Sequence, residues 1–332
     1  MNTIMHGGRL DEAIEQYGGD REDWLDLSTG INPRTYPIGE ISDHVWQRLP
    51  GWNAEKNLLD SARQYYQVKK DIGIVAANGT QALIQVLPEI LNVEKVAIVS
   101  PTYGEHQNCW AMRGASIACP DDFGTAIETA DIVVVGNPNN PDGKTYLPEQ
   151  LAEGAGNLAQ RGGCLIIDEA FCDVRPNLSL VPALPENAIV LRSFGKFFGL
   201  AGLRLGFALC HPGLALKFSQ RTGPWSVSGP ALAIGAKALS DKTWQHDAIK
   251  WIFQQSEKQG EILSELSLAV TGNAGLFMDV HCAGVETVHQ KLLAEKILIR
   301  DFAERPGFLR FGLCADDGEL ERLSATLRRI IS

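Results

Sequence analysis

From about residue 73, short apolar runs alternate with helix-sized segments: "IGIVAA", "KVAIVS", "DIVVVG", "GCLIID", "AIVLR" and "LGFALC". Runs rich in Val and Ile, without polar alternation, predict strands buried on both faces of a mostly parallel sheet with helices on either side. From about Gly229 the texture changes. "ALAIGAKALSDKTWQHDAIKWIFQQSEKQGEILSEL" sets apolar residues at three- and four-residue steps, which predicts a long helix broken once. "LAVTG", "LFMDVH", "ILIR" and "FLRFGL" then read as strands, with helical patterns before "ILIR" and at the C-terminus. The pattern as a whole predicts an α/β protein in three parts. These are an N-terminal arm over 1–35, a large α/β domain over 36–228, and a smaller α+β domain over 229–332.

In sheets of this kind ligands bind beyond the carboxyl ends of the strands, so the residues after each run carry the functional signal. Those residues are "NGT", "PTYGEH", "NPNNPDG", "DEAF" and "SFGK", in that order. Lys196 of "SFGK" sits among Phe, Leu, Ala and Gly, where an ammonium is costly to bury without a partner. Asp168 precedes it by 28 residues and Asn140 precedes Asp168 by another 28, each step about one crossover unit, so all three can converge at one edge of a sheet.

A lysine with a depressed pKa is a nucleophile suited to forming a Schiff base with an aldehyde. The aldehyde matching these neighbours is pyridoxal phosphate. Asp168 can pair its pyridine nitrogen, the Asn140 amide can bond its ring hydroxyl, and Tyr103 is placed to lie against the ring. Its phosphate calls for a helix N-terminus and a cation. Gly79 and Thr80 of "NGTQALIQVL" open a helix, while Ser193 and Arg204 add a hydroxyl and a guanidinium.

Composition narrows the partners. Charged residues make up 21% of 332 positions and the net charge is −10, which disfavours nucleic acid and anionic membranes and requires arginines placed locally for any anionic substrate. The seven cysteines form no CxxC pair and no metal-ligand set is legible. With no apolar leader at the N-terminus, the reading is a cytoplasmic protein that does not enter membranes. No GxGxxG follows the first strand, which argues against a dinucleotide site.

"NPNNPDG", "DEAF", "SFGK" and "GLRLG", in that order, resemble the signature of the aspartate-aminotransferase-like, fold-type I pyridoxal phosphate enzymes. The resemblance implies that Lys196 binds the cofactor covalently and that Asp168 pairs its pyridine nitrogen. Asn140 and Tyr103 then contact the ring, and Gly79, Thr80, Ser193 and Arg204 hold the phosphate. It also implies a homodimer with active sites at the subunit interface.

"HGG", "LDLSTGINP", "GPWSVS" and "ILIR" resemble, within that family, the branch that decarboxylates O-phospho-L-threonine in cobalamin biosynthesis. The neighbouring branch transfers amino groups on phosphorylated substrates such as histidinol phosphate. Arg310 in "FLRFGL" matches the family arginine that takes the α-carboxylate as a bidentate fork, and Arg300 would take the substrate phosphate with His6 and the backbone of Gly7 and Gly8. Asn140 would also face the substrate. A non-catalytic module on the same fold is the competing class, but such modules tend to lose the lysine or aspartate retained here. Four positions depart from the common pattern: Gly30 for Asn, Leu49 for Tyr, Phe171 for Tyr, and Gly195 for Ser or Thr.

Overall fold

A computed structural model describes residues 7–282 and 284–331. Its strands, in chain order, are β1 (Leu25–Asp26), β2 (Gly73–Ala77), β3 (Lys95–Ile98), β4 (Ser116–Ala118), β5 (Ile132–Gly136), β6 (Cys164–Asp168) and β7 (Ala188–Ser193), then β8 (Gly206–Cys210), β9 (Ala269–Asn273), β10 (Phe277–His281), β11 (Ile297–Leu298), β12 (Arg300–Asp301) and β13 (Phe308–Gly312). The chain forms two compact units: residues 35–140 with 144–245, and residues up to Arg34 with 141–143 and from His246 on. Among the described residues no helix is long and apolar enough to cross a membrane.

The larger unit is built on a seven-stranded sheet of order β2-β8-β7-β6-β5-β3-β4. The β5 run Ile132 to Val135 is buried residue by residue, as a strand covered on both faces requires. The sheet is mixed: β8 runs antiparallel to both β2 and β7, while the other neighbours are parallel. This reversal brings the beginning of β8 to the edge where the other strands end. Edge strand β4 is not legible in the sequence, because "SIA" is three residues long and exposed at both ends, so it leaves no buried apolar run. The helix Gly229–Ser240, which the sequence pattern puts at the head of the small domain, belongs to this unit. Its Gly235 lies so near the helix Trp52–Tyr65 that a Cβ there would meet Leu58 at 2.8 Å.

The smaller unit has a four-stranded antiparallel sheet, β12-β13-β10-β9, and a parallel β1–β11 pair. Its core joins Leu25 and Leu27 of the N-terminal segment to Met278, Val280, Leu309 and Phe311. The predicted long helix breaks at Asp241, whose carboxylate accepts from Trp244 N at 3.0 Å and caps the following helix, Lys242–Glu265. "ILIR" is not one strand. Ile297 and Leu298 pair with β1, whereas Arg300 and Asp301 pair with β13, so the run hands over from one sheet to the other at buried Ile299.

Candidate active site

In the larger unit the register lines up the predicted residues along one sheet edge. Ala77 at the end of β2 faces Gly206, Gly206 faces Ser193, and two residues back along β7 Leu191 faces Asp168, which faces Gly136. Immediately beyond these ends come Gly79–Thr80, Lys196, and the turn carrying Asn140. Lys196 lies in the short helix Phe194–Phe197, half-buried, with its Nζ 5.8 Å from the Phe171 ring centroid.

Asp168 is tied on both oxygens. Oδ1 accepts from Ala170 N at 3.0 Å and Oδ2 lies 2.9 Å from His106 Nε2. The carboxylate can only accept, so the imidazole carries its proton on Nε2 and holds Asp168 in one orientation. His106 is fully buried on the first turn of the helix Gly104–Met112 and meets Tyr103 edge-on, with ring centroids 6.1 Å apart. Tyr103 donates to Gln81 Oε1 at 3.1 Å, and burial raises its hydroxyl to about 12, so it stays neutral. His106 and Gln81 were missed by sequence reasoning. The signal for His106 was its place three residues after Tyr103, on the same helical face.

The phosphate end is a close-packed cradle. Gly79 has φ 80° and ψ 160°, a conformation essentially reserved for glycine, and caps the helix Thr80–Leu91. A Cβ on Gly79 would stand 2.6 Å from the Arg204 guanidinium. Arg204, itself in left-handed backbone at φ 55°, donates through Nη1 to Ala201 O at 3.1 Å. Gly206 presses from below, where a Cβ would meet Thr80 N at 2.4 Å. Backbone N–H groups at a helix start, a guanidinium and no side-chain bulk are the parts of a phosphate site.

Of the asparagines in "NPNN", Asn137 and Asn139 are buried and bonded to backbone: Asn137 Nδ2 donates to Tyr146 O and Leu178 O, and Asn139 Nδ2 to Pro101 O at 2.7 Å. Asn140 is half-buried at the same turn. The "GPWSVS" segment docks at this edge through Ser226 Oγ, 3.3 Å from Ala76 O. The departure at Gly195 is a packing requirement, since a Cβ there would sit 2.7 Å from Ala201 Cα. The lysine, the carboxylate and the cradle fit pyridoxal phosphate.

In the smaller unit, Arg300 and Arg310 face each other across β12 and β13. Their guanidinium carbons lie 5.0 and 5.8 Å from the centroid of the Phe302 ring. Like charges directly opposed across a sheet repel. Burial, helped by Arg300 and opposed by Asp279, pushes the Arg310 guanidinium down to about 9. An incoming anion relieves both costs. Asp279, the register partner of Arg310 in β10, is gripped by both nitrogens of Arg305 at 2.9 and 3.0 Å.

Arg310 Nη2 donates to Ser28 O at 2.7 Å, and Gly8 N donates to Ser28 Oγ at 2.9 Å, so Gly7, Gly8 and "DLS" gather beside Arg310. A Cβ on Gly7 would meet Ser28 O at 2.4 Å. Ser28 is a further residue that sequence reasoning did not single out. His6 lies outside the described residues.

Comparison with known proteins agrees with this geometry. The threonine-phosphate decarboxylase of Pseudomonas aeruginosa is 38% identical across 98% of this chain and 97% of its own length. A threonine-phosphate decarboxylase from a Sinorhizobium species is 37% identical across 98% of each chain. The histidinol-phosphate aminotransferase of Sinorhizobium meliloti, solved in complex with pyridoxal-5'-phosphate, shares the fold with a TM-score of 0.84 over 100% of this chain and 99% of that chain, at 21% identity. Residues 40–327 match the family model for aminotransferase class I and II. With its lysine, aspartate and phosphate cradle on one sheet edge, this chain belongs to the pyridoxal phosphate-dependent class I and II aminotransferase family.

Proposed function

We propose that this chain decarboxylates O-phospho-L-threonine to (R)-1-amino-2-propanol O-2-phosphate, the aminopropanol linker unit of cobalamin. The observation that carries the reading is identity of 37–38% over 98% of the chain to threonine-phosphate decarboxylases, and the sheet edge that gathers Lys196, Asp168, Gly79 and Arg204 supports it. Bound pyridoxal phosphate supplies an electron sink for charge developing at the substrate α-carbon. Lys196 would hold the cofactor covalently and, after carbon dioxide leaves, deliver a proton to the α-carbon. Asp168, oriented by His106, keeps the pyridine nitrogen protonated. Gly79, Thr80, Ser193 and Arg204 bind the cofactor phosphate, and Asn140 the ring hydroxyl.

Arg310 takes the substrate α-carboxylate, and Arg300, with His6 and the backbone of Gly7 and Gly8, takes the substrate phosphate. Fixing both anionic ends would set which bond at the α-carbon is presented for cleavage, and orientation of this kind is worth several powers of ten in rate. The assembly is a cytoplasmic homodimer. Its support is a stretch of exposed large apolar side chains, Ile38, Trp46, Leu49 and Trp52, the last three 66–72% exposed in the single chain.

The cofactor assignment is tested by spectroscopy. The purified holoprotein is expected to show a visible absorption band and to incorporate label from borohydride at Lys196, and Lys196→Ala to lose both. Retention of the band by Lys196→Ala would overturn the assignment.

A further inference from the structure

Behind the cofactor edge, on the opposite face of the sheet, lies a fully buried ion network that the chemistry above does not use. Arg192 Nη1 reaches Glu169 Oε2 at 2.6 Å and its Nη2 reaches Asp173 Oδ1 at 2.6 Å. Glu169 also accepts from Ser179 Oγ at 2.6 Å and Leu180 N at 2.8 Å. The Arg192 guanidinium carbon stands 4.5 Å over the Tyr66 ring. Taking three charges out of water is expensive, and apolar side chains of similar volume often do as well or better for stability. A purpose beyond stability is therefore worth seeking in where the network sits.

Glu169 directly follows Asp168, and Arg192 directly precedes Ser193. Successive strand residues point to opposite faces, so the pair lies back to back with the residues assigned to the pyridine nitrogen and the cofactor phosphate. The register of β6 and β7 ends at Asp168 and Leu191, with one further backbone bond from Glu169 N to Leu191 O at 2.9 Å. Past that point the fork of Arg192 joins the two strand ends. Its second arm holds Asp173, in the 3₁₀ turn Cys172–Val174, and so anchors the turn that presents Phe171 to Lys196.

We infer that Arg192, Glu169 and Asp173 are positioning residues: their forked network fixes the spacing of Asp168, Phe171 and the Ser193–Lys196 segment, and thereby the alignment of the reactive lysine with the cofactor. The inference rests on the cofactor reading above. A bidentate fork sets direction as well as charge, whereas a lysine supplies only a point charge. Misplacement of reacting groups by about 1 Å costs about a hundredfold.

The test compares Arg192→Lys and Glu169→Gln with wild-type holoenzyme. The readouts are circular dichroism, the pH midpoint of the visible cofactor band, cofactor affinity by fluorescence titration, and kcat and KM with O-phospho-L-threonine. Both variants are expected to stay folded, to move the band's midpoint, and to lose about 10- to 100-fold in kcat with KM changed less than about threefold. Should either fail to fold, the charge-neutral triple variant Glu169→Gln/Asp173→Asn/Arg192→Met is expected to restore folding but keep the spectral and kcat defects. Folded variants, single or triple, with the wild-type midpoint and a kcat within about threefold would overturn the positioning role. Absence of the band from the wild type would instead overturn the cofactor reading.

Discussion

Gly79 shows how much of the site rests on a missing side chain. Its backbone lies where L residues cost about 1–3 kcal/mol, and any Cβ runs into the Arg204 guanidinium. Gly79→Ala is therefore expected to lower stability by about that amount and to weaken cofactor binding at least tenfold, read by thermal melting and by fluorescence titration with pyridoxal phosphate. Unchanged affinity would mean that the cradle is not the phosphate site. At this scale Lys196, Asp168 and Gly79 were legible because chemistry restricts each to one residue type. His106 was not, since a buried histidine inside "PTYGEH" has no local mark, and only the fold sets it 2.9 Å from Asp168. The departure at Gly195 was visible in the sequence, but its cause, the packing against Ala201, was not.

Among the elements, the reversed strand β8 organises the cofactor edge. Because it starts where β2 and β7 end, Arg204, which precedes a strand, meets Gly79, which follows one. The sequence showed "LGFALC" as a buried strand but not its direction, because an apolar run reads the same in either pairing. "ILIR" misled for a related reason: four apolar-rich residues cannot reveal that they serve two sheets. Gly206 is the pivot of the reversed strand. Gly206→Ala would force its Cβ into the Thr80 amide and is expected to cost about 1–3 kcal/mol by denaturant unfolding of the apoprotein. A change below about 0.5 kcal/mol would show that the strand and the helix start are not in tight contact.

For the whole molecule, an acidic chain that binds the proposed phosphorylated substrate must concentrate positive charge, and Arg300 and Arg310 on either side of Phe302 do so. The proposed homodimer is checked by light scattering after size exclusion. Wild type is expected at twice the mass of one chain and Trp46→Glu/Trp52→Glu at one; a wild-type monomer would contradict the assembly. The decisive measurement is product analysis of the wild-type holoenzyme with O-phospho-L-threonine, with and without 2-oxoglutarate. Carbon dioxide release in step with (R)-1-amino-2-propanol O-2-phosphate, at a rate independent of the oxo acid, is the expected result. Glutamate formation from 2-oxoglutarate outpacing carbon dioxide release would contradict the account and make the enzyme an aminotransferase.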